Sequence, residues 1–208
     1  MSIAVLLVED DNFTRSTLAA ALERHGIDVP HALSSAREAM ALVHLPDVAL
    51  LDLDLGPGPT GIDLAIALRE RAPAIGVVLL TSYDDPRLLA ADLPPAPRGT
   101  RYLRKREVSD VTMVVTSIIG AARNPMEVTA TERTERIDLS DSQVDVLRGV
   151  AEGLSTAEIA HRRGVSDKAV EKAITQLCAR FGLERLPTHN QRVRLAAEYH
   201  ALSGQVPR

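Results

Sequence analysis

Residues 46–61 read PDVALLDLDLGPGPTG and combine an apolar run, three aspartates and a loop rich in glycine and proline. Its apolar run, residues 48–51, has the composition of a strand that is buried on both faces of a parallel sheet. Asp52 follows directly, before a loop of Gly, Pro and Thr residues. In open α/β sheets ligands bind outside the carboxyl ends of the strands, so the pattern predicts a carboxylate that is exposed to chemistry. From this stretch alone, a helix cap or a loop residue is an equal alternative for Asp52.

Four other short segments have the composition of strands and alternate with helical patterns. Pro30 falls within the second of them, and because a proline donates no backbone hydrogen bond, this strand is predicted at an edge of the sheet. The first helix is predicted to begin at a cap near Asp11, with Phe13 on its inner side. Strands that alternate with helices favour right-handed crossovers. The sequence therefore predicts an α/β domain over residues 1–123, with a flavodoxin-like parallel sheet in the order 2-1-3-4-5.

Polar residues follow four of these strands at what should be one edge of the sheet. They are Glu9 and Asp10 after the first strand, Asp52 after the third, Thr81 after the fourth and Lys105 after the fifth. Crowded carboxylates repel one another unless a cation lies between them, and a hard divalent ion such as Mg²⁺ suits oxygen ligands. The set is therefore predicted to receive a phosphoryl group on Asp52, with the metal ion and the lysine compensating the charge.

This arrangement resembles the pocket of response-regulator receiver domains. The matching pieces are Glu9-Asp10, Asp52 within LLDLDL, Thr81 after a buried run, and Lys105 within YLRK. The resemblance implies that Mg²⁺ is held by Glu9, Asp10, Asp52 and the backbone carbonyl of Asp54, and that Thr81 and Lys105 contact the phosphoryl group. It also implies that Tyr102 changes its side-chain conformation on phosphorylation, although a half-buried strand residue is an even alternative.

The chain departs from the receiver pattern in the loop after Asp52 and in the region after the fourth strand. Gly56 stands where a proline is common, and residues 84–92 form at best a short helix, because prolines follow within residues 93–98. A bistable loop and helix usually couple a local charge change to an output surface. These departures keep open a regulator that retains the pocket but works without phosphorylation.

The remaining chain has the pattern of a linker followed by a small helical domain. Residues 124–137 are polar and lack apolar periodicity, which predicts an interdomain linker. In residues 138–208, capping boxes begin at Ser140 and Ser155, and a turn at Gly164 precedes a longer helix with a polar outer face. Two helices joined by a short glycine turn are typical of a helix-turn-helix.

Residues 139–183 resemble the LuxR/NarL-type DNA-binding domain, most specifically in AEGLSTAEIA, GVSDKAVEKAI and ARFGL. The resemblance implies that the longer helix enters the major groove. Its predicted DNA-binding residues are Lys168, Glu171, Lys172, Thr175, Gln176 and Arg180, with a solvated face as the alternative for each. In relatives the last helix, here from about residue 189 to 202, often pairs two domains, which implies a homodimer; packing on its own domain is equally open.

Composition limits the classes of protein that fit. The chain contains no 18-residue apolar run and no basic-then-apolar leader, so the sequence predicts a soluble protein of the cytoplasm without a membrane partner. The single cysteine, Cys178, falls in an apolar helical stripe and is predicted to be a buried structural thiol.

The leading hypothesis is a two-component response regulator, not an enzyme. In this hypothesis a sensor histidine kinase phosphorylates Asp52 and the C-terminal domain binds promoter DNA. A phosphohydrolase is the alternative from another class, because Asp52-Leu53-Asp54 has the DxD form of aspartyl-phosphate phosphatases. Those enzymes usually carry the motif on their first strand, whereas here it lies on the third.

Overall fold

The chain groups into two compact units. The first comprises Met1–Ser82 and Leu93–Thr134, and the second comprises Tyr83–Asp92 and Glu135–Arg208. The structure, a computed structural model, describes residues 2–90, 92–108, 110–127, 137–183 and 190–204. Most of the predicted linker, residues 128–136, and the predicted start of the last helix at residue 189 therefore lie outside the described residues.

The first unit is built on a parallel sheet of five strands. The strands are β1 (Ala4–Val8), β2 (Asp28–Leu33), β3 (Val48–Asp52), β4 (Gly76–Thr81) and β5 (Arg101–Arg104), in the order β2-β1-β3-β4-β5. The predicted fold class and strand order are confirmed, and β2, with Pro30, lies at an edge. Val8 pairs with Leu51, so the residues that follow β1 and β3 emerge side by side.

Four helices pack on this sheet: α1 (Asn12–Arg24), α2 (Ala36–Met40), α3 (Gly61–Arg71) and α4 (Val111–Arg123). All residues of β3 and β4 are buried, as their continuous apolar composition predicts for central parallel strands. Leu22, Leu68 and Ile118 are fully buried on α1, α3 and α4 respectively. Each such side chain contributes roughly 2 kcal/mol by its burial, which fixes the helices and, through them, the loops at the sheet edge.

The predicted inward position of Phe13 is wrong, since its side chain is 78% exposed. Asp11 does cap the helix, because its carboxylate accepts a hydrogen bond of 2.7 Å from the backbone N–H of Thr14. At 3.6 residues per turn, a residue nine positions before Leu22 lies about 180° around the helix from it. The face that buries Leu22 therefore turns Phe13 outward.

The second unit contains α5 (Asp141–Ala151), α6 (Thr156–Arg163), α7 (Asp167–Arg180) and α8 (Gln191–Ser203), together with a 3-10 turn at Pro86–Leu88. Both predicted capping boxes are present, at Ser140 and Ser155. Gly164 ends α6 with φ at 62°, a left-handed conformation that glycine adopts without a steric cost. The helix-turn-helix form of α6 and α7 is therefore in place. Among the described residues, no helix has the length and hydrophobicity to cross a membrane.

Candidate metal centre and helix-turn-helix surface

Three carboxylates meet at the carboxyl edge of the sheet. One oxygen atom from each of Glu9, Asp10 and Asp52 lies within 4.8 Å of the others. Glu9 and Asp52 are buried, whereas Asp10 is exposed. An all-oxygen donor set with one side open to solvent fits a hard divalent cation such as Mg²⁺, which keeps part of its water shell.

Lys105 compensates part of this charge. Its Nζ atom donates hydrogen bonds of 2.8 Å to Asp52 Oδ2 and 2.8 Å to Glu9 Oε2. Burial raises the pKa of Asp52 to about 7, and the Lys105 ammonium opposes this shift. Burial also disfavours the charged form of Lys105, but the nearby carboxylates prevail and raise its pKa. One ammonium facing three carboxylates leaves an excess of negative charge that a divalent cation would neutralise.

Backbone hydrogen bonds fix the strand ends around Asp52. Leu53 N–H donates to the Leu80 carbonyl at 2.8 Å, and Lys105 N–H donates to the Thr81 carbonyl at 2.7 Å. The Asp54 N–H donates to Asp52 Oδ1 at 3.3 Å. Thr81 is fully buried at the end of β4. Leu53, directly after Asp52, and Lys105 are therefore both bonded to the end of β4.

Tyr102 lies on β5, where its backbone pairs with Leu79 of β4. Its side chain is neither fully buried nor fully exposed. This is the half-buried strand position that the sequence allowed, and it leaves the ring in contact with solvent. A change of side-chain conformation at Tyr102 belongs to the proposal below.

Gly61 lets α3 begin directly against the backbone of Asp52. A Cβ atom at position 61 would lie 2.1 Å from the Asp52 carbonyl oxygen, well inside contact distance. Gly61 N–H donates to the Leu53 carbonyl at 3.0 Å, and Thr60 caps the helix in a capping box with Asp63. The loop from Asp52 to α3 therefore closes only because position 61 has no side chain.

The conformation of Gly56 explains why a proline is absent there. Its φ is 74°, whereas the proline ring holds φ near −65°. A Cβ atom on Gly56 would lie 3.9 Å from Asp10 Oδ2, so this loop passes beside the exposed carboxylate of the cluster. The departure at Gly56 thus reflects a different path of the loop and leaves the acidic cluster assembled.

Arg15 is a positioning residue that the sequence patterns missed. Its Nη1 atom donates to the backbone carbonyls of Glu9 at 2.6 Å and Asp10 at 3.2 Å, and its Nη2 atom donates to Asn12 Oδ1 at 2.8 Å. These bonds hold the segment that carries two of the three carboxylates. A basic residue near a helix N-terminus is unfavourable for the helix dipole, and this was the one signal that pointed to a special role.

The six predicted DNA-binding residues share the outer face of α7. Lys168, Glu171, Lys172, Thr175, Gln176 and Arg180 are all exposed. Val170 and Leu177 are fully buried on the opposite side, which fixes the rotation of the helix. Arg180 is bound to the carboxylate of Asp138. Its guanidinium must therefore exchange this carboxylate for a phosphate if it binds DNA.

The chain is similar to a known protein family and to a known transcriptional activator. Residues 5–106 match the family model of the response regulator receiver domain. The chain is 31% identical over 199 residues to the DNA-binding transcriptional activator DevR/DosR of Mycobacterium tuberculosis, which covers 88% of this chain and 90% of that protein. The chain belongs to the two-component response regulators of the NarL/LuxR type. As a member of this family, the response regulator is a transcription regulator.

Further relatives agree with this assignment. The response regulator is 24% identical over 204 residues to the transcriptional regulatory protein LnrK of Bacillus subtilis, covering 87% of this chain and 91% of that protein. A structure of RcsB from Salmonella enterica serovar Typhimurium, bound to a promoter, gives a TM-score of 0.55 at 20% identity. That alignment covers 98% of this chain and 100% of the RcsB chain, and it supports the fold of the response regulator over both units.

Proposed function

We propose that Asp52 accepts a phosphoryl group from a sensor histidine kinase and that α7 binds promoter DNA. The observation that carries this proposal is the convergence of Glu9, Asp10 and Asp52 within 4.8 Å. Lys105 is bonded to two of these carboxylates, as the balance of charge at a phosphoryl site requires. The proposal assigns phosphorylation to residues 1–123, DNA binding to residues 138–208 and the linker to residues 124–137.

Phosphoryl transfer to Asp52 needs a positioned nucleophile and compensation of charge. A carboxylate oxygen of Asp52 attacks phosphorus, the new P–O bond forms, and the bond from phosphorus to the kinase histidine breaks, with its electron pair returning to the ring nitrogen. Lys105 and the hydroxyl of Thr81 would bind the phosphoryl oxygens. Tyr102 would then change its side-chain conformation in response.

Glu9, Asp10, Asp52 and the backbone carbonyl of Asp54 would hold Mg²⁺. When bound, this ion supplies positive charge at the transferring phosphoryl group. Because burial raises the pKa of Asp52 to about 7, positive charge at the site also favours the ionised carboxylate that acts as nucleophile. Arg15 keeps Glu9 and Asp10 in place through their backbone carbonyls.

DNA recognition would use the exposed face of α7. Glu171 can accept from cytosine amino groups, and Lys172 can donate to guanine or to phosphate. Lys168 and Arg180 suit phosphate contacts, which position the helix without specifying sequence, and Thr175 and Gln176 complete the surface. A homodimer would present two such helices to a two-fold operator.

The phosphorylation step is tested with acetyl phosphate and Mg²⁺. Intact-mass spectra should show one added phosphoryl group on the wild type and none on Asp52→Asn. Absence of the adduct with several phosphodonors would favour the regulator that works without phosphorylation. Steady hydrolysis of a small phosphoester that is lost in Asp54→Ala would instead indicate the phosphohydrolase.

The DNA-binding step is tested by mapping bound sites across the genome. Wild type and Asp52→Asn should differ in occupancy at the same promoters, and Lys172→Ala should lose them. Equal occupancy of wild type and Asp52→Asn would show that DNA binding does not depend on phosphorylation of Asp52.

A further inference from the structure

Residues 83–92, here called the strap, follow β4 in the chain but belong to the second unit. Asp85 and Leu88 are fully buried, and Tyr83 is 3% exposed. Such burial is typical of an integral part of a domain and not of a surface loop. The local sequence provides only the 3-10 turn at Pro86–Leu88, so the strap is held mainly by partners that are distant in the chain.

The first anchor of the strap is a group of hydrogen bonds to the residues just before α5 and to its first residue. Arg87 donates to Asp85 Oδ2 at 2.7 Å and to Asp141 Oδ1 at 2.6 Å, and it also donates to the backbone carbonyls of Ile137 and Leu139. Ile137 N–H donates in turn to Asp85 Oδ2 at 3.2 Å. The hydrogen bond with Asp85 is the largest cause of the raised pKa of Arg87. Asp85 and Arg87 of the strap therefore both bind the segment from residue 137 to the first residue of α5.

The second anchor joins the strap to α5 and α8 through backbone groups. The buried hydroxyl of Tyr199 donates to the Leu88 carbonyl at 3.0 Å, and Asp84 N–H donates to the Leu202 carbonyl at 2.8 Å. Arg148 Nη1 donates to the Arg87 carbonyl at 3.0 Å. Because these bonds use main-chain atoms of the strap, they depend on its path as well as on its side chains.

The strap is also connected by a short length of chain to the candidate phosphorylation site. Thr81 accepts a hydrogen bond from the backbone of Lys105, the residue whose ammonium binds Asp52. From Thr81 to Asp84 the chain advances three residues, which span about 10 Å at most. A displacement of the backbone at Thr81 is therefore expected to displace Asp84, the first strap residue whose backbone is bonded to α8.

We propose that docking of the strap on α5 and α8 is the switch by which phosphorylation of Asp52 reaches the DNA-binding unit. The docked strap is the state in which the Asp52 carboxylate is bonded to Lys105, and phosphorylation releases it. This inference rests on the proposed phosphorylation of Asp52. Because a phosphoryl analogue favours the released strap in this proposal, a variant that loosens the strap should also bind the analogue more tightly.

Hydrogen–deuterium exchange of the full chain tests this switch. The samples are wild type, Arg87→Ala, Tyr199→Phe and, as a control, Arg162→Ala, which removes an exposed ion pair with Glu152 in the same unit. Each is measured with and without beryllofluoride and Mg²⁺. Strap amides of the wild type should exchange at least tenfold faster with beryllofluoride. Arg87→Ala and Tyr199→Phe should show faster exchange without it, while Arg162→Ala should behave as wild type.

Intact-mass spectra of the same samples after acetyl phosphate treatment separate the two proposals. If Asp52 gains a phosphoryl group and strap exchange stays unchanged, the switch is wrong and phosphorylation stands. If no adduct forms and beryllofluoride has no effect, both are wrong. Should Arg87→Ala fail to fold by circular dichroism, Tyr199→Phe, which removes one hydroxyl, decides whether the docked contacts hold the strap.

Discussion

The ammonium of Lys105 lies 2.8 Å from Asp52 Oδ2, in a pocket where the Asp52 side chain is 7% exposed. Removing one partner of a buried ion pair leaves the other charge without compensation and costs about 3 kcal/mol or more. We expect Lys105→Ala to lower the free energy of unfolding by about this amount in EDTA, and Mg²⁺ to restore part of it. Urea unfolding measures both. Arg104→Ala is the control, because it removes an ion pair whose other partner, Glu107, has a side chain that is 53% exposed, and it should cost less than about 1 kcal/mol.

The raised pKa of Asp52 makes the stability of the metal-free protein depend on pH. The pKa of Asp52 is about 7 in the folded state, whereas the unfolded chain releases this proton at the ordinary aspartate pKa of 3.8. Between these values the unfolded state binds fewer protons, so stability falls as pH rises, by about 4 kcal/mol at most. Unfolding in urea with EDTA at pH 5 and pH 8 should show about 3 kcal/mol of this loss for wild type, because only the part between pH 5 and pH 7 falls within that interval. An equal loss of stability in Asp52→Asn would show that other titrating groups cause the pH dependence.

Gly61→Ala should disturb the loop between Asp52 and α3 more than the fold as a whole. The added methyl group would lie 2.1 Å from the Asp52 carbonyl oxygen, so α3 and the loop must move apart. Overpacking of this kind costs about 1–3 kcal/mol. We expect reduced thermal stability and slower phosphorylation by acetyl phosphate. Gly26→Ala, where φ is 78° and no atom lies within 4 Å of the added methyl group, should lower stability through backbone strain without slowing phosphorylation.

Arg15→Ala should weaken metal binding through the backbone of the acidic pair. Residues that orient metal ligands typically change affinity by about 10-fold or more when removed. We therefore expect the dissociation constant for Mg²⁺, measured by calorimetry, to rise about tenfold. Arg24→Ala, at the exposed end of the same helix, serves as the control and should match wild type. Equal affinities for all three proteins would show that Arg15 only supports the helix.

The ion pair between Arg180 and Asp138 should restrain DNA binding. Asp138 is 93% exposed, so its replacement by Asn leaves the fold intact and frees Arg180 for phosphate. We expect Asp138→Asn to raise affinity for promoter DNA a few-fold and to steepen its salt dependence by about one counterion. In an Arg180→Ala background the same replacement should have little effect. A similar gain in that background would point to a general effect of charge.

The sheet and its acidic edge were predictable because parallel strands share one direction. Once apolar runs and Pro30 set the order, Glu9, Asp52 and Lys105 had to emerge at the same edge. The roles of Arg15 and the strap were not predictable, since both depend on side chains that reach main-chain carbonyls. Leu88 binds Tyr199, 111 positions away, and Arg87 binds Asp141, 54 positions away, and no local periodicity predicts such contacts.

The second unit takes ten of its residues from the middle of the chain and the rest from its end. No single cut in the polypeptide can therefore release it whole. A gene fusion with one crossover in the linker would transfer Tyr199 and Arg148 without the backbone they bind, and the recipient would inherit an incomplete output module. Evolutionary exchange of this module between regulators must either carry residues 83–92 along or replace them.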